Sequence, residues 1–301
     1  MAAENILITG ASSPIGAFFC KCLTQDFPNA TLYAAYNKNA PAFNLPRLKP
    51  LQIDFSNLSA EMLALPALKT IDTVIHLASV TPGNNMSGSL DNYYAGNVYG
   101  VMALFQHMAG SGNLKDIFYL SSSAVYNRTK GSVLNEMSEK THLDPYGLSK
   151  LVFEHEMATL HSQTKINMLG LRVPVLLVDG VKYNFISKWK LAIEQKARLK
   201  IANPDAAFNA VCPGWALFEA FKGFTGKGST ACLTTNIFAS ESSNLRAILK
   251  AADYDLWDEV PATAPAQTLT SIYKPLSFPP YNALKVVKDF LLEAREKGQA
   301  A

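Results

Sequence analysis

A phenol moves protons well only when something nearby stabilises its anion, and an ammonium one helical turn away can do so. The sequence offers that spacing three times: Tyr126 with Lys130, Tyr146 with Lys150, and Tyr281 with Lys285. In a chain with 12 tyrosines such pairs also arise by chance, so context must choose among them. Tyr126 directly follows a strand end, in a segment without helical pattern. Tyr281 falls in a C-terminal helix, far in sequence from any ligand-binding signal. Tyr146 opens a strongly patterned helix, Tyr146-Gly147-Leu148-Ser149-Lys150, and follows the run Leu120-Ser121-Ser122-Ser123. A serine at the carboxyl end of a parallel strand sits where open α/β sheets bind ligands. Ser122 is therefore expected to share a substrate oxygen with Tyr146, while Lys150 tunes the phenol.

A second cluster is suited to phosphate. Ile6-Leu7-Ile8 runs into Thr9-Gly10-Ala11-Ser12-Ser13-Pro14-Ile15-Gly16. Gly10 can turn sharply out of a strand, Ser13 is a good N-cap, and Pro14 suits the first helical position. Gly16 lets the helix pack close to the sheet. The free N–H groups of the first turn, with the helix dipole, favour an anion. The same pattern also serves an ordinary capped strand-to-helix turn. At the end of the second strand, a carboxylate would bind a ribose 2′-hydroxyl and favour NAD. Ala35-Tyr36-Asn37-Lys38-Asn39 has none. Lys38 and Asn37 suit a 2′-phosphate, which points to NADP; the alternative is a solvated loop lysine.

The elements that must position these groups show in the apolar pattern. Short runs without clean alternation recur at Ile6–Ile8, Leu32–Ala35, Leu51–Ile53, Val74–Leu77, Ile117–Leu120 and Met168–Val173. Such runs indicate strands buried on both faces. Helical stretches at 15–25, 92–110 and 146–162 separate most of them, predicting a parallel sheet wrapped by helices. After residue 175 the rhythm loosens. A helix is expected at 184–198, a strand near 230–235, a helix at 242–252, and a last helix at 282–297 capped by Asn282. A Pro/Ala/Thr-rich stretch spans 260–268. Residues 1–175 thus read as a nucleotide-binding domain and 176–301 as mainly a smaller substrate-holding lobe interleaved with the sheet.

Composition narrows the class. In 301 residues, 49% hydrophobic against 17% charged excludes disorder. A net charge of +3 without long single-sign runs favours neither nucleic acid nor membrane surface as a partner. Cys20, Cys22, Cys212 and Cys232 form no CxxC pair, and read as reduced thiols of a cytoplasmic protein. No metal spacing appears. The opening residues carry no signal-peptide pattern, and no apolar stretch reaches membrane-spanning length.

In the order TGASSPIG at 9–16, Asp54, IHLAS at 75–79, NVYG at 97–100, YLSSSAVY at 119–126, PYGLSK at 145–150 and LRVP at 171–174, the chain resembles an extended short-chain dehydrogenase/reductase. The group is that of the NAD(P)-dependent nucleotide-sugar epimerases, dehydratases and reductases. Past residue 175 the likeness rests on Asn184-Phe185-Ile186 and Phe208-Asn209. The resemblance implies a Rossmann-type doubly wound parallel sheet with a smaller C-terminal substrate-binding lobe. It implies Tyr146 as general acid/base, Lys150 as its tuner and grip on the nicotinamide ribose, and Ser122 as polariser of the substrate oxygen. Gly10, Ser12, Ser13, Ile15 and Gly16 would hold the pyrophosphate. Asp54 and Phe55 would flank the adenine, and Leu77, Ala78 and Ser79 would line the cofactor. Asn97, Ser121 and Val173 are further cofactor positions on the same grounds. Asn184 would touch the substrate's diphosphate or sugar, with Thr81 and Ser123 as additional substrate contacts. A homodimer is also implied.

The departures are informative. The middle glycine of the family's turn is Ser13. Ser122 is followed by Ser123-Ala124 where family dehydratases carry Asp-Glu, which argues against sugar 4,6-dehydration. Asn127 replaces the glycine after the Val-Tyr pair, and the usual arginine of the later substrate loop is absent. Lys188, Lys190, Lys196, Arg198 and Lys200 make 185–200 basic, which suits a diphosphate or simply a solvated face. Trp189 reads as core or as a base-stacking ring, and His76 as a structural histidine. The expected activity is reduction of a keto-sugar on a nucleoside diphosphate. Epimerisation, reduction of a small non-nucleotide carbonyl, and a non-catalytic dinucleotide sensor are the alternatives.

Overall fold

Apolar runs too short for a helix form the central strands, and the amphipathic stretches between them form helices. The computed structural model describes residues 5–82, 89–127, 133–141, 143–227, 230–262, 266–273 and 280–299. The first half contains β1 (Asn5–Thr9), α1 (Pro14–Asp26), β2 (Thr31–Tyr36), β3 (Leu48–Gln52) and α2 (Ala60–Leu63). It continues with β4 (Thr73–His76), α3 (Leu90–Tyr94), α4 (Gly100–Ala109) and β5 (Asp116–Ser122). Next come β6 (Val133–Leu134), α5 (Pro145–Thr164), β7 (Asn167–Val173), β8 (Val175–Leu177), α6 (Phe185–Glu194) and β9 (Leu199–Ile201). The chain then forms β10 (Val211–Pro213), α7 (Gly214–Phe224), β11 (Cys232–Asn236), α8 (Leu245–Ala251), β12 (Trp257–Glu259), β13 (Thr268–Leu269) and α9 (Ala283–Gln299).

Among the described residues, seven strands make the main sheet, in the order β11-β7-β5-β4-β1-β2-β3. The β1–β2, β2–β3, β1–β4 and β4–β5 ladders are parallel. The order reverses at β1, which lies between β2 and β4, so the crevice of this Rossmann-type α/β sheet opens at the carboxyl ends of β1 and β4. One large core cluster includes Leu7, Val74, Ile117, Tyr119, Phe105, Phe153 and Met157.

The chain divides into two compact units. The first comprises Met1–Val125, Leu143–Arg172 and Phe218–Thr235, and carries most of the main sheet. Its sheet packs aromatically on α1 and the end of α7: the Phe19 ring meets Phe218 edge-on at 5.5 Å, and Phe118 meets Phe221 at 5.7 Å. Such pairs contribute about 0.5–1.5 kcal/mol each beyond area burial. The second unit comprises Tyr126–His142, Val173–Leu217 and Asn236–Ala301. In it, Glu136 accepts from the Asn236 and Ile272 N–H groups and from the Ser271 hydroxyl. Lys190 on α6 pairs with Asp179 at 2.7 Å and lies 4.3 Å over the Phe290 ring of α9.

Several elements differ from their sequence expectation. The stretch 92–110 is three pieces, because a π turn at Ala95–Tyr99 interrupts it between α3 and α4. The helix expected at 184–198 stops at Glu194, where Lys196 turns with φ +53° and the chain extends into β9. The third strand is Leu48–Gln52, starting earlier than Leu51. Helix α7 was not anticipated: Ala216, Leu217, Phe218, Ala220 and Phe221 are buried while Glu219 and Lys222 are partly exposed, but Trp215, 39% exposed, sets an apolar ring on the outer face and blurs the stripe. Tyr281 precedes α9 and is not part of it; the Asn282 side chain caps that helix by accepting from the Lys285 N–H.

Candidate active site

The turn after β1 is pressed against the end of β4. Gly10 has φ +69°, and a Cβ built on it would lie 2.9 Å from the Ala78 Cα. Both facts require glycine there. Ser13 caps α1: its hydroxyl accepts from the Gly16 N–H at 3.1 Å and donates to the Gly10 carbonyl at 2.7 Å. A Cβ on Gly16 would come within 2.1 Å of that same carbonyl. Pro14 has no N–H to leave orphaned, and Gly16's is used, so the first-turn donor left for a ligand is that of Ile15. No acidic residue occupies the first turn, and Ser12 is exposed. The cradle therefore suits an anion.

Behind the turn, Thr9 and His76 stitch β1 to β4. The Thr9 hydroxyl accepts from the Leu77 and Ala78 N–H groups at 3.2 Å each, which leaves its own proton for His76 Nδ1 at 2.8 Å. His76 thus carries its proton on Nε2. It is ringed by Phe55, Phe105 and Phe153, and burial with the nearby Lys150 charge holds it down to about 3. It is a neutral structural histidine.

The segment leaving β4 is tied down by Asn97, which sits in the π turn. Its side-chain oxygen accepts from the Val80 N–H at 2.7 Å and from the Ser79 hydroxyl at 3.2 Å. Its amide donates to the Val80 carbonyl at 3.0 Å and to the Ser149 hydroxyl at 3.2 Å. Asn97 therefore links the β4 loop to α5, with its polar atoms committed inside the protein. A π turn advances the chain by one extra residue, and is the local device that turns Asn97 toward both partners.

Tyr146, Lys150 and Ser122 come together across β5 and α5. Asp144 caps α5 by accepting from the Gly147 N–H at 2.7 Å, and Pro145 takes the first helical position. A Cβ on Gly147 would lie 2.3 Å from the Ala124 carbonyl, so glycine is what allows the helix start to approach the end of β5. The Ser122 hydroxyl accepts from the Ala124 N–H at 3.1 Å, leaving its own proton for another oxygen. Lys150 is buried; its Nζ donates to the Leu120 carbonyl at 3.2 Å and lies 6.0 Å from the Tyr146 ring centroid. Burial lowers it to about 8, against an opposing pull from Glu154. Tyr93 of α3 packs its ring 5.8 Å from that of Tyr146.

The remaining expected positions divide by what their side chains already hold. Asn37 and Lys38 are exposed at the end of β2. Asp54 caps the turn that follows, with one carboxylate oxygen on the Ser56 N–H at 2.9 Å. Phe55 is half-buried, and its carbonyl abuts Gly100. Leu77 is buried, while Ala78, Ser79 and Ser123 are partly exposed. Among the described residues the Thr81 hydroxyl is buried with no hydrogen-bond partner, in the loop that follows β4. The Ser121 hydroxyl is spent on Glu154. Val173 and Asn184 belong to the second unit. Val173 is a buried apolar residue at the end of β7, and the Asn184 side chain accepts from the Ser187 N–H and donates to the Leu176 carbonyl, capping α6. Lys130 lies outside the described residues. Sequence reasoning missed Tyr93, Glu154 and Arg172; of these, Glu154 had a signal, standing one further turn beyond Lys150.

A glycine turn at the switch point of the sheet, with Ser122, Tyr146 and Lys150 over β5 and α5, defines an extended short-chain dehydrogenase/reductase. Residues 6–201 match the NAD dependent epimerase/dehydratase family, and the chain belongs to that family. It is 32% identical over 187 residues to UDP-glucose 4-epimerase 2 of Arabidopsis thaliana, covering 58% of this chain and 53% of that one. It is 26% identical over 158 residues to the trifunctional UDP-glucose 4,6-dehydratase/UDP-4-keto-6-deoxy-D-glucose 3,5-epimerase/UDP-4-keto-L-rhamnose-reductase RHM2 of the same plant, covering 49% of this chain and 24% of that one. The chain thus spans about half or less of the length of these relatives. In fold it is similar to MoeE5 in complex with UDP-glucose and NAD, with a TM-score of 0.79 at 19% identity over 98% of this chain and 100% of that one.

Proposed function

We propose that the protein is an NAD(P)-dependent oxidoreductase of nucleoside-diphosphate sugars, and that it reduces a keto-sugar. The observation that carries this reading is the buried Lys150 ammonium beside the Tyr146 phenol, at the end of the strand bearing Ser122.

The residues present fit a dinucleotide. The Ile15 N–H and Ser12 at the start of α1 would hold its pyrophosphate, Asp54 its adenine, and Lys150 its nicotinamide ribose. Asn37 and Lys38, exposed and without a neighbouring acid, would take a 2′-phosphate, which makes NADP the preferred form. When bound, the reduced nicotinamide supplies a hydride to the carbonyl carbon. The protein's part is the proton and the charge. Ser122 donates its free proton to the carbonyl oxygen and polarises it. Tyr146 passes its own proton to that oxygen as the alcohol forms, and the Lys150 charge stabilises the phenolate left behind. Thr81, with its buried hydroxyl, and Ser123 are the substrate contacts on the side of β4 and β5. Asn184 reaches a substrate only if its capping bonds exchange. A homodimer belongs to the same reading and is tested by light scattering.

Epimerisation is the second reading, favoured by the 4-epimerase relatives. It would use the same residues but return the hydride to the sugar. Mixing purified protein with a panel of nucleotide sugars separates the two. Net loss of absorbance at the reduced-nicotinamide band is expected for the reductase; sugar inversion without net change indicates the epimerase. Turnover only of simple carbonyls, or dinucleotide binding with no turnover, overturns both.

A further inference from the structure

Tyr146 and Lys150 are followed, one more turn along α5, by Glu154, so the three side chains leave the helix at the same four-residue step. Glu154 is 8% exposed, and its carboxylate is gripped by Arg172 of β7, Nε at 2.9 Å and Nη2 at 2.7 Å. It also accepts from the Ser121 hydroxyl at 2.5 Å. A buried ion pair is seldom the most stabilising way to fill such a space; apolar residues of similar volume do as well or better. What this one does is local. Leu120, Ser121 and Ser122 are successive residues of β5: the first accepts the Lys150 ammonium, the second is held by Glu154, and the third faces the chemistry.

We infer that Glu154 and Arg172 are positioning residues, locking α5 onto β5 and β7 so that Tyr146 and Lys150 are held in fixed register with Ser122. The inference rests on the reading of Tyr146 and Lys150 as the proton-moving pair. The same carboxylate is the opposing charge that keeps the buried ammonium protonated. Among the described residues the titratable groups facing Lys150 are Glu154 and Tyr146 on α5 and His76 on β4, with Arg172 of β7 paired to the Glu154 carboxylate; His76 is neutral, so Glu154 supplies the stabilising charge.

The test is the double variant Glu154→Leu/Arg172→Met, which replaces the pair with apolar side chains. It is expected to fold, to bind NADPH within about threefold of the parent, and to lose about 10²-fold in kcat, the scale of a misplaced catalytic group. The pH at which Lys150 loses its proton, followed by NMR of lysine-labelled protein and assigned with Lys150→Met, is expected to fall by about one unit. That readout needs no substrate. A shifted Lys150 titration in a parent inactive on every sugar supports the positioning role while overturning the proposed function. A folded double variant whose Lys150 titration and kcat both stay within twofold of the parent overturns the inference. Should the double variant fail to fold, Glu154→Gln carries the same two readouts and the same criteria.

Discussion

Tyr146 with Lys150 and Tyr281 with Lys285 have the same spacing in the chain and opposite surroundings. At the first pair the ammonium is buried and the phenol partly exposed; Lys150 is held down to about 8 by desolvation. At the second the phenol is buried and the ammonium exposed. The Tyr281 hydroxyl donates to the Val211 carbonyl at 2.9 Å, burial beside Cys212 pushes its pKa upward, and Lys285 pairs with Asp289 in solvent. Tyr281 also lies outside the helix that holds Lys285, so the four-residue step there does not place the two on one face. A cation tunes a phenol when the cation is the group shielded from water and the phenol is the one that substrate can reach.

The largest way to break this contrast is Tyr146→Phe. Its kcat is expected to fall about 10²- to 10⁴-fold with dinucleotide binding retained, measured by steady-state kinetics beside a fluorescence titration. Full activity would remove Tyr146 from the chemistry. Next is pH. Under the proposed mechanism, in which the Lys150 charge stabilises the phenolate, kcat is expected to decline as pH rises through about 8. Stability runs the other way. The unfolded lysine keeps its proton up to its usual value of 10.5 while the folded one releases it near 8. The unfolded chain therefore binds more protons between those values, and this group's contribution to stability grows with pH across that window. Comparing urea midpoints of the parent and Lys150→Met between pH 7 and 10 reads that slope, which should flatten in the variant. Tyr281→Phe should leave kcat unchanged and cost about 1–3 kcal/mol, since it strands the Val211 carbonyl in a buried place. Lys285→Met should change stability by less than about 0.5 kcal/mol and turnover not at all.

The placement of Tyr146 at the start of α5 was legible because the surrounding pattern named its elements: continuous apolar runs for β1, β2, β4, β5 and β7, and helical periodicity for α1 and α5. The glycine turn was legible for the same reason, since Gly10, Ser13 and Pro14 each have a backbone job that a sequence displays. Side-chain commitments were not. Nothing in the local pattern shows that Asn97 spends its amide on Val80 and Ser149, that Asn184 caps α6 while holding Leu176, or that Ser121 is taken by Glu154, because each depends on a partner distant in the chain. The π turn escaped detection because the residues of 92–110 keep an apolar face on either side of it. Helix α7 escaped because the exposed Trp215 puts a large apolar ring on its outer face and blurs the stripe by which helices are recognised. Tyr126 is a smaller case: it is fully buried with its hydroxyl on Asn236, so its spacing to Lys130 carried no information about its surroundings.

The wide turn at Ala95–Tyr99 amounts to a one-residue surplus hidden inside what passes for a single helix. Forced into regular α geometry with all its residues kept, the segment would rotate every side chain downstream by about 100°, a rotation that the wide turn absorbs. The buried edge of α4, with Val101, Leu104 and Phe105, would swing toward solvent, and the asparagine latch on α5 would open. Grafting this segment between homologues thus demands matching its residue count before its residue types.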